Sequence, residues 1–268
     1  MPHIRIFGFE QLSTSHDKYC VDQMTHKTKG IILRTVKFGE TSVVTTVYTE
    51  LFGIQSYMVK GVRKSTKTSS GKGIYFQPAA ILDMEVYHNQ LRNLNFIKEY
   101  NWGYLYENVL SDVVKNTVAI YMIELLQHSL KQPEANPELY NMMQDSLQQL
   151  DKASPTLTAN LPLYFSLHLA GELGFKIQGT YSTATPVLDL QEGQFTSTKP
   201  AHSFFAEKEL AQAASQLQSI HFYSDLEDLH FSRNTRQQLL IIFQNYIALH
   251  VHDFGEIKTL PVLQQIFE

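Results

Sequence analysis

The sequence predicts an α+β chain, with an N-terminal five-stranded β-barrel followed by an α-helical domain that contains an irregular excursion. Three observations carry that expectation. Short runs of branched and aromatic residues, parted by turn residues, fill positions 27–99. After Trp102 the apolar residues recur at three- and four-residue spacings, the period of helices. The chain's basic residues also concentrate in the strand-rich part, while the remainder is acidic.

Residues 1–23 have no usable periodicity and are expected to be a loosely ordered extension, or to lie upstream of the natural start. An extra strand at Ile4–Phe9 is the alternative. The barrel is expected to span residues 24–102. Gly30–Val36 reads as its first strand, and Gly39-Glu40-Thr41 as a turn. Val43–Thr49 is the second strand, Glu50–Gly53 a turn, and Ile54–Val59 the third. Residues 60–73 hold Ser, Thr, Lys and Gly without an apolar period and read as a loop. Ile81–Tyr87 is the fourth strand, with Leu82, Met84 and Val86 on one face and Asp83, Glu85 and Tyr87 on the other. Leu94–Ile97 and its flanks make the fifth. Five short strands in about seventy residues suit an OB-fold, the small barrel most often used for single strands.

The helical domain is expected over residues 103–268. Helices are predicted at Asn108–Leu130, from Pro137 to about Leu150, and at Leu157–Leu173 with Gly174 as C-cap. Residues 175–206, with Gly179, Pro186, Gly193 and Pro200, form the excursion. Glu207–Gln218 is an amphipathic helix. Ser232 caps a long helix ending near His252, whose Leu239–Phe243 run is apolar on all sides and so is expected at the centre of the core.

Composition limits the function classes. Across 268 residues, 43% hydrophobic and 18% charged content suit a folded chain of one large or two modest domains. No window approaches the roughly 18 uninterrupted apolar residues of a membrane span, and no signal pattern opens the chain. The single cysteine, Cys20, excludes a disulfide framework or multi-cysteine metal site, which fits the cytoplasm. The net charge of −4 hides an asymmetry: between Lys27 and Lys72, nine cations face only Glu40 and Glu50, leaving +7. A basic block on an acidic body points to polyanion binding at one end.

Catalytic patterns are absent. Gly71-Lys72-Gly73 lacks the hydroxyl residue that a phosphate loop uses to hold magnesium. His168 and Glu172 are four apart on a predicted helix, without the second histidine of a zinc motif. His250 and His252, two apart, point to different sides of a helix. Asp83 and Glu85 share a strand face. They fit a nuclease metal pair, but alternation alone also produces such a polar face. Asp225, Glu227 and Asp228 read as solvated surface. No enzyme activity and no cofactor are expected.

Several segments resemble one family. Lys27-Thr28-Lys29-Gly30-Ile31-Ile32-Leu33-Arg34, followed by Gly39-Glu40-Thr41-Ser42, is similar to the opening of the RecO recombination mediators. So is Lys60-Gly61-Val62-Arg63-Lys64 where the third strand ends, and Phe76-Gln77-Pro78 ahead of the fourth. The resemblance covers roughly residues 24–268, with its specific motifs in the first third. It implies a DNA repair and recombination protein that binds single- and double-stranded DNA and anneals complementary strands. It further implies work with RecR to load RecA on DNA coated by single-strand-binding protein, including recognition of that protein's acidic C-terminal tail. Many members carry a four-cysteine zinc site in the excursion. Here Gly174–Phe205 has no cysteine, so the excursion is zinc-free and must be held by packing. Pro186–Leu190 and Gln194–Thr196 are expected to pair as a small hairpin.

For phosphate contacts the candidates are Lys27, Lys29, Arg34, Lys37, Lys60, Arg63, Lys64, Lys67 and Lys72. Tyr48, Tyr57 and Tyr75 are candidates for stacking on bases, with core packing as the alternative. Arg233 and Arg236 are candidate cations for the acidic tail, or ordinary helix-start residues. The alternative function is a non-catalytic adaptor whose basic barrel binds an acidic protein partner.

Overall fold

A computed structural model describes residues 24–62, 71–131 and 134–267. The expected N-terminal extension, the alternative strand at Ile4–Phe9, and Arg63, Lys64 and Lys67 lie outside the described residues.

Five strands close a barrel in the order β1-β2-β3-β5-β4, with β1 at Thr25–Phe38, β2 at Ser42–Thr49, β3 at Gly53–Val59, β4 at Ile81–Tyr87 and β5 at Asn95–Tyr104. The long β1 closes it by serving two neighbours. Its first half pairs with β4 and its second half with β2. At the crossover stands Gly30, where a Cβ would lie 2.4 Å from Met84 Cε and 2.6 Å from Val47 Cγ1. Only glycine leaves room there for the strand to change partners.

β1 begins earlier than the sequence suggests and β5 runs on to Tyr104. The first extension exposes Lys27 and Lys29 and the second Lys98, Glu99 and Asn101, which hides both from an apolar pattern. Inside the barrel, Ile32, Val43, Val47, Tyr57, Val59, Leu82, Met84 and Val86 form a small core. On the outer wall, one end of the β1-β2-β3 face and the start of β4 are covered by the helical domain, burying Ile31, Leu33, Tyr48 and Ile81.

The helical domain has α1 (Val113–Ser129), α2 (Pro137–Lys152), α3 (Pro155–Glu172), α4 (Lys208–Gln218), α5 (Arg233–His250) and α6 (Thr259–Ile266). Local signals place the first three. Asp112, Asn136 and Ser154 each accept a hydrogen bond from the backbone N–H three residues on, and Pro137 and Pro155 occupy the first turns of α2 and α3. α1 therefore starts at Val113 rather than Asn108. α3 is buried almost all round, with Ser166 Oγ donating to the carbonyl of Pro162 at 2.7 Å. It takes the central position expected of α5, whose Ile241 is 43% exposed although Leu239, Leu240 and Phe243 are buried.

α6 escapes sequence reading because its cap is distant. The carboxylate of Glu124 in α1 accepts from Lys258 N at 3.0 Å and Thr259 N at 2.8 Å.

The excursion folds into a three-stranded antiparallel sheet, β7-β6-β8, from β6 (Val187–Asp189), β7 (Gln194–Thr196) and β8 (Phe205–Glu207). The expected hairpin is present, and β8 adds a third strand. Packing of Ile177, Leu188, Leu190 and Phe195 holds it to the main core. His250 Nε2 lies 3.1 Å from the Leu190 carbonyl oxygen, and Tyr246 Oη donates to the Phe175 carbonyl at 2.7 Å.

Candidate nucleic-acid interface

The half of the β1-β2-β3 face that the helices leave open carries the candidate site. Strand register sets its composition. Arg34 is opposite Thr46, which is opposite Ser56. The next row runs Val36, Val44, Met58 and Phe96 across all four strands β1, β2, β3 and β5. Phe38 is opposite Ser42. Val36 is 42% exposed and Phe38 52%, and Lys60 places its ammonium 5.7 Å from the Phe96 ring centroid. The result is an apolar stripe with two phenylalanines, bordered by Arg34 and Lys60. The hairpin beneath is tied by Thr35 Oγ1 donating to Thr45 Oγ1 at 3.0 Å, and by Thr45 Oγ1 donating to the Arg34 carbonyl at 3.2 Å.

This arrangement suits a polyanion with flat apolar groups. Cations attract phosphates and release counterions, while aromatic faces accept unpaired bases. Lys37 points the other way on the same hairpin, opposite Val43, and is exposed beyond the barrel rim. Lys72 heads a 3-10 turn at Lys72–Phe76.

Lys27 and Lys29 lie elsewhere. They stand on the first half of β1, directly opposite Glu85 and Asp83 of β4, and Glu99 is opposite Glu85 in turn. These residues and Glu50 line a groove of about 500 Å³. Glu85 accepts from Lys98 Nζ at 2.8 Å and Thr25 Oγ1 at 2.6 Å. Those hydrogen bonds hold its carboxyl below the ordinary glutamate value. The two lysines thus sit among carboxylates, away from Arg34 and Lys60. Glu85 is engaged by Lys98 and Thr25 rather than poised with Asp83 for a metal. Among the described residues, no group of three or more His, Cys, Asp and Glu is placed to hold a metal ion.

Tyr57 must be corrected as a base-stacking residue. It points into the barrel, has no exposed surface, and burial pushes its hydroxyl well above the ordinary value. It shares inward parity with Val59. Tyr48 is outward but equally buried, donating its hydroxyl to the Asn136 carbonyl at 3.2 Å with its ring 5.7 Å from Tyr140. Tyr75 is half-buried. Phe38 and Phe96 are the aromatics that strand parity brings to the open face. The alternation Arg34, Val36, Phe38 ahead of the Gly39 turn is the signal that marks Phe38.

The other predicted residues do not join the barrel site. Arg233 is exposed at the first position of α5. Arg236 donates Nη1 to the Phe231 carbonyl at 2.7 Å, and burial lowers its pKa. A neutral groove follows one turn later, between Asn234, Gln237 and Ile241 of α5 and Pro261 and Gln264 of α6. His168 packs against Tyr164 with ring centroids 3.9 Å apart. Burial, with Lys176 and His221 nearby, lowers its pKa to about 4, so it is neutral at ordinary pH. No helix among the described residues is long and apolar enough to cross a membrane.

A closed five-stranded barrel with one open, cation-bordered face, joined to a helical body, defines an OB-fold protein of mixed α+β class. The family described as Recombination protein O N terminal matches residues 24–106, and Recombination protein O C terminal matches residues 110–258. The chain belongs to the RecO family, a family of DNA repair and recombination. It is 28% identical to the DNA repair protein RecO of Azobacteroides pseudotrichonymphae, across 91% of this chain and 100% of that protein. It is 30% identical to the DNA repair protein RecO of Flavobacterium psychrophilum, again across 91% of this chain and 100% of the relative.

Proposed function

We infer that the chain is a recombination mediator that binds single- and double-stranded DNA on its barrel and anneals complementary strands without bond chemistry of its own. The observation that carries this reading is the open half of the β1-β2-β3 face. There, Arg34 and Lys60 border an apolar stripe ending in Phe38 and Phe96, free of the carboxylates that surround Lys27 and Lys29. Lys37 adds a cation at the barrel rim and Lys72 one at the Lys72–Phe76 turn, and Arg63, Lys64 and Lys67 belong to the same basic segment of sequence.

Annealing follows from electrostatics. Two complementary strands repel each other, and a cationic surface that holds both lowers the repulsion and raises their local concentration. Base pairing supplies the driving force. Within the family's process, the protein acts with RecR to load RecA on DNA coated by single-strand-binding protein. The acidic tail of that coating protein is assigned to Arg233 and the adjacent α5–α6 groove, with Arg236 fixing the start of α5.

Fluorescence anisotropy of a labelled oligothymidine at several salt concentrations tests the DNA reading. Binding that weakens steeply with salt, followed by accelerated annealing of complementary oligonucleotides, is expected. Failure to bind even at low salt transfers the basic segment to an acidic protein partner.

A further inference from the structure

A groove of about 590 Å³ lies at the end of the barrel nearest α2, between the β2–β3 turn, the β4–β5 hairpin and the segment leading into α2. Part of its lining is aromatic. The rings of Phe52 and His88 stack at 3.8 Å with an interplanar angle of 15°, and the His26 ring meets Phe52 edge-on at 5.4 Å. Leu51 and Ile54 add apolar wall, and Leu51 is 48% exposed. On the adjoining hairpin Leu91 is 94% exposed. Apolar side chains gathered around one groove mark a binding surface. His88 Nδ1 is buried there and has no hydrogen-bond partner among the described residues. Such a nitrogen costs free energy until a partner group reaches it.

The course of the chain and its charges name the occupant. Thr25, the first residue of β1, is opposite Tyr87, the neighbour of His88 in sequence. The chain thus enters the barrel beside the groove, and residues 1–23 connect to its rim. Positions 4–9 hold Ile4, Ile6, Phe7 and Phe9, four large apolar side chains in six residues. Arg5 and Glu10 bracket the last three of them, and the groove carries the matching charges, Glu134 ahead of α2 and Arg92 on the hairpin. Reach is not limiting, because the chain from Phe9 to Met24 spans up to roughly 50 Å when extended. Attachment also keeps the segment at high local concentration.

We propose that residues 4–9 dock in this groove as an intramolecular strap, with Phe7 and Phe9 against the Phe52–His88 stack and a backbone group of the segment hydrogen-bonded to His88 Nδ1. The RecO N-terminal match begins at residue 24, so the strap belongs to this chain's own extension and not to the matched domain. It does not depend on the DNA reading.

Hydrogen exchange read by mass spectrometry compares the full chain with a variant that begins at Met24. Backbone amides of residues 51–56 and 88–93 are expected to exchange about tenfold more slowly in the full chain, the protection given by a segment docked about nine parts in ten. Phe7→Asp with Phe9→Asp, a change confined to the extension, is expected to remove that protection from an otherwise intact chain. A synthetic peptide of residues 1–12, added in excess to the shortened chain, is expected to restore it. Equal exchange at these residues in the full chain and in its Phe7→Asp, Phe9→Asp variant would overturn the strap, whether or not the shortened chain folds. Protection that fades on dilution of the full chain would place a second copy's segment in the groove and overturn the intramolecular form.

Discussion

Tyr57 and Phe38 are aromatic residues of one sheet, yet they occupy opposite sides of the barrel wall. Their chemistry favours Tyr57 as a ligand-binding group, with its ring and hydroxyl. Parity decides otherwise: Tyr57 faces in with Val59, while Phe38 faces out with Arg34 and Val36. The identity of the basic residues was legible in the sequence, but their partners were not. Lys29 is opposite Asp83, 54 residues further along the chain, a pairing that only register fixes. Two outcomes follow. Phe38→Ala should weaken oligothymidine binding roughly fivefold or more, as for loss of a stacked base, with the urea midpoint unchanged. Tyr57→Phe should leave DNA affinity unchanged and stability equal or higher, because the buried Oη has no hydrogen-bond partner among the described residues. A loss of DNA affinity in Tyr57→Phe at intact stability would restore Tyr57 to the site.

Elements with local signals were predictable, and those fixed at a distance were not. Alternation revealed the apolar centres of the strands, Pro137 revealed the first turn of α2, and Ser232 the cap of α5. The link that leads into α1 depends instead on Asp151, at the end of α2. Its buried carboxylate accepts from the backbone N–H groups of Glu107 at 3.0 Å, Asn108 at 2.8 Å and Val109 at 2.9 Å, in the link between β5 and α1. Burial alone would raise its pKa, but these hydrogen bonds and the Tyr104 hydroxyl outweigh it and lower the pKa. The folded state therefore favours the ionised form. The stability that this carboxylate contributes is fully present above the ordinary value of 3.8 and is lost as pH falls through the lower folded value. Asp151→Asn should cost about 3 kcal/mol at neutral pH by urea unfolding, and should flatten the acid limb of the stability curve. An unchanged midpoint would remove Asp151 as the tie between barrel and helices.

At the scale of the whole molecule, the helical domain determines which part of the barrel is available. It buries Tyr48 and Ile31 at one end of the β1-β2-β3 face and leaves the stripe from Arg34 to Lys60 open. The division into basic barrel and acidic body was visible in the charge distribution, because it depends only on composition. Which half of the face stays uncovered was not, since that follows from contacts between Tyr48 and α2 more than eighty residues apart. Charge count alone makes Lys27 and Lys29 equal to Arg34 and Lys60, while the fold makes them unequal. The most direct measurement compares the salt dependence of oligothymidine affinity in wild type, Arg34→Glu with Lys60→Glu, and Lys27→Glu with Lys29→Glu. The first pair should weaken binding to all sequences alike and flatten the log–log slope by roughly 1.4, the loss of two single-strand phosphate contacts. The second pair should change the slope far less. Equal losses in both pairs, or none in the first, would contradict the assignment of the open face as the DNA site.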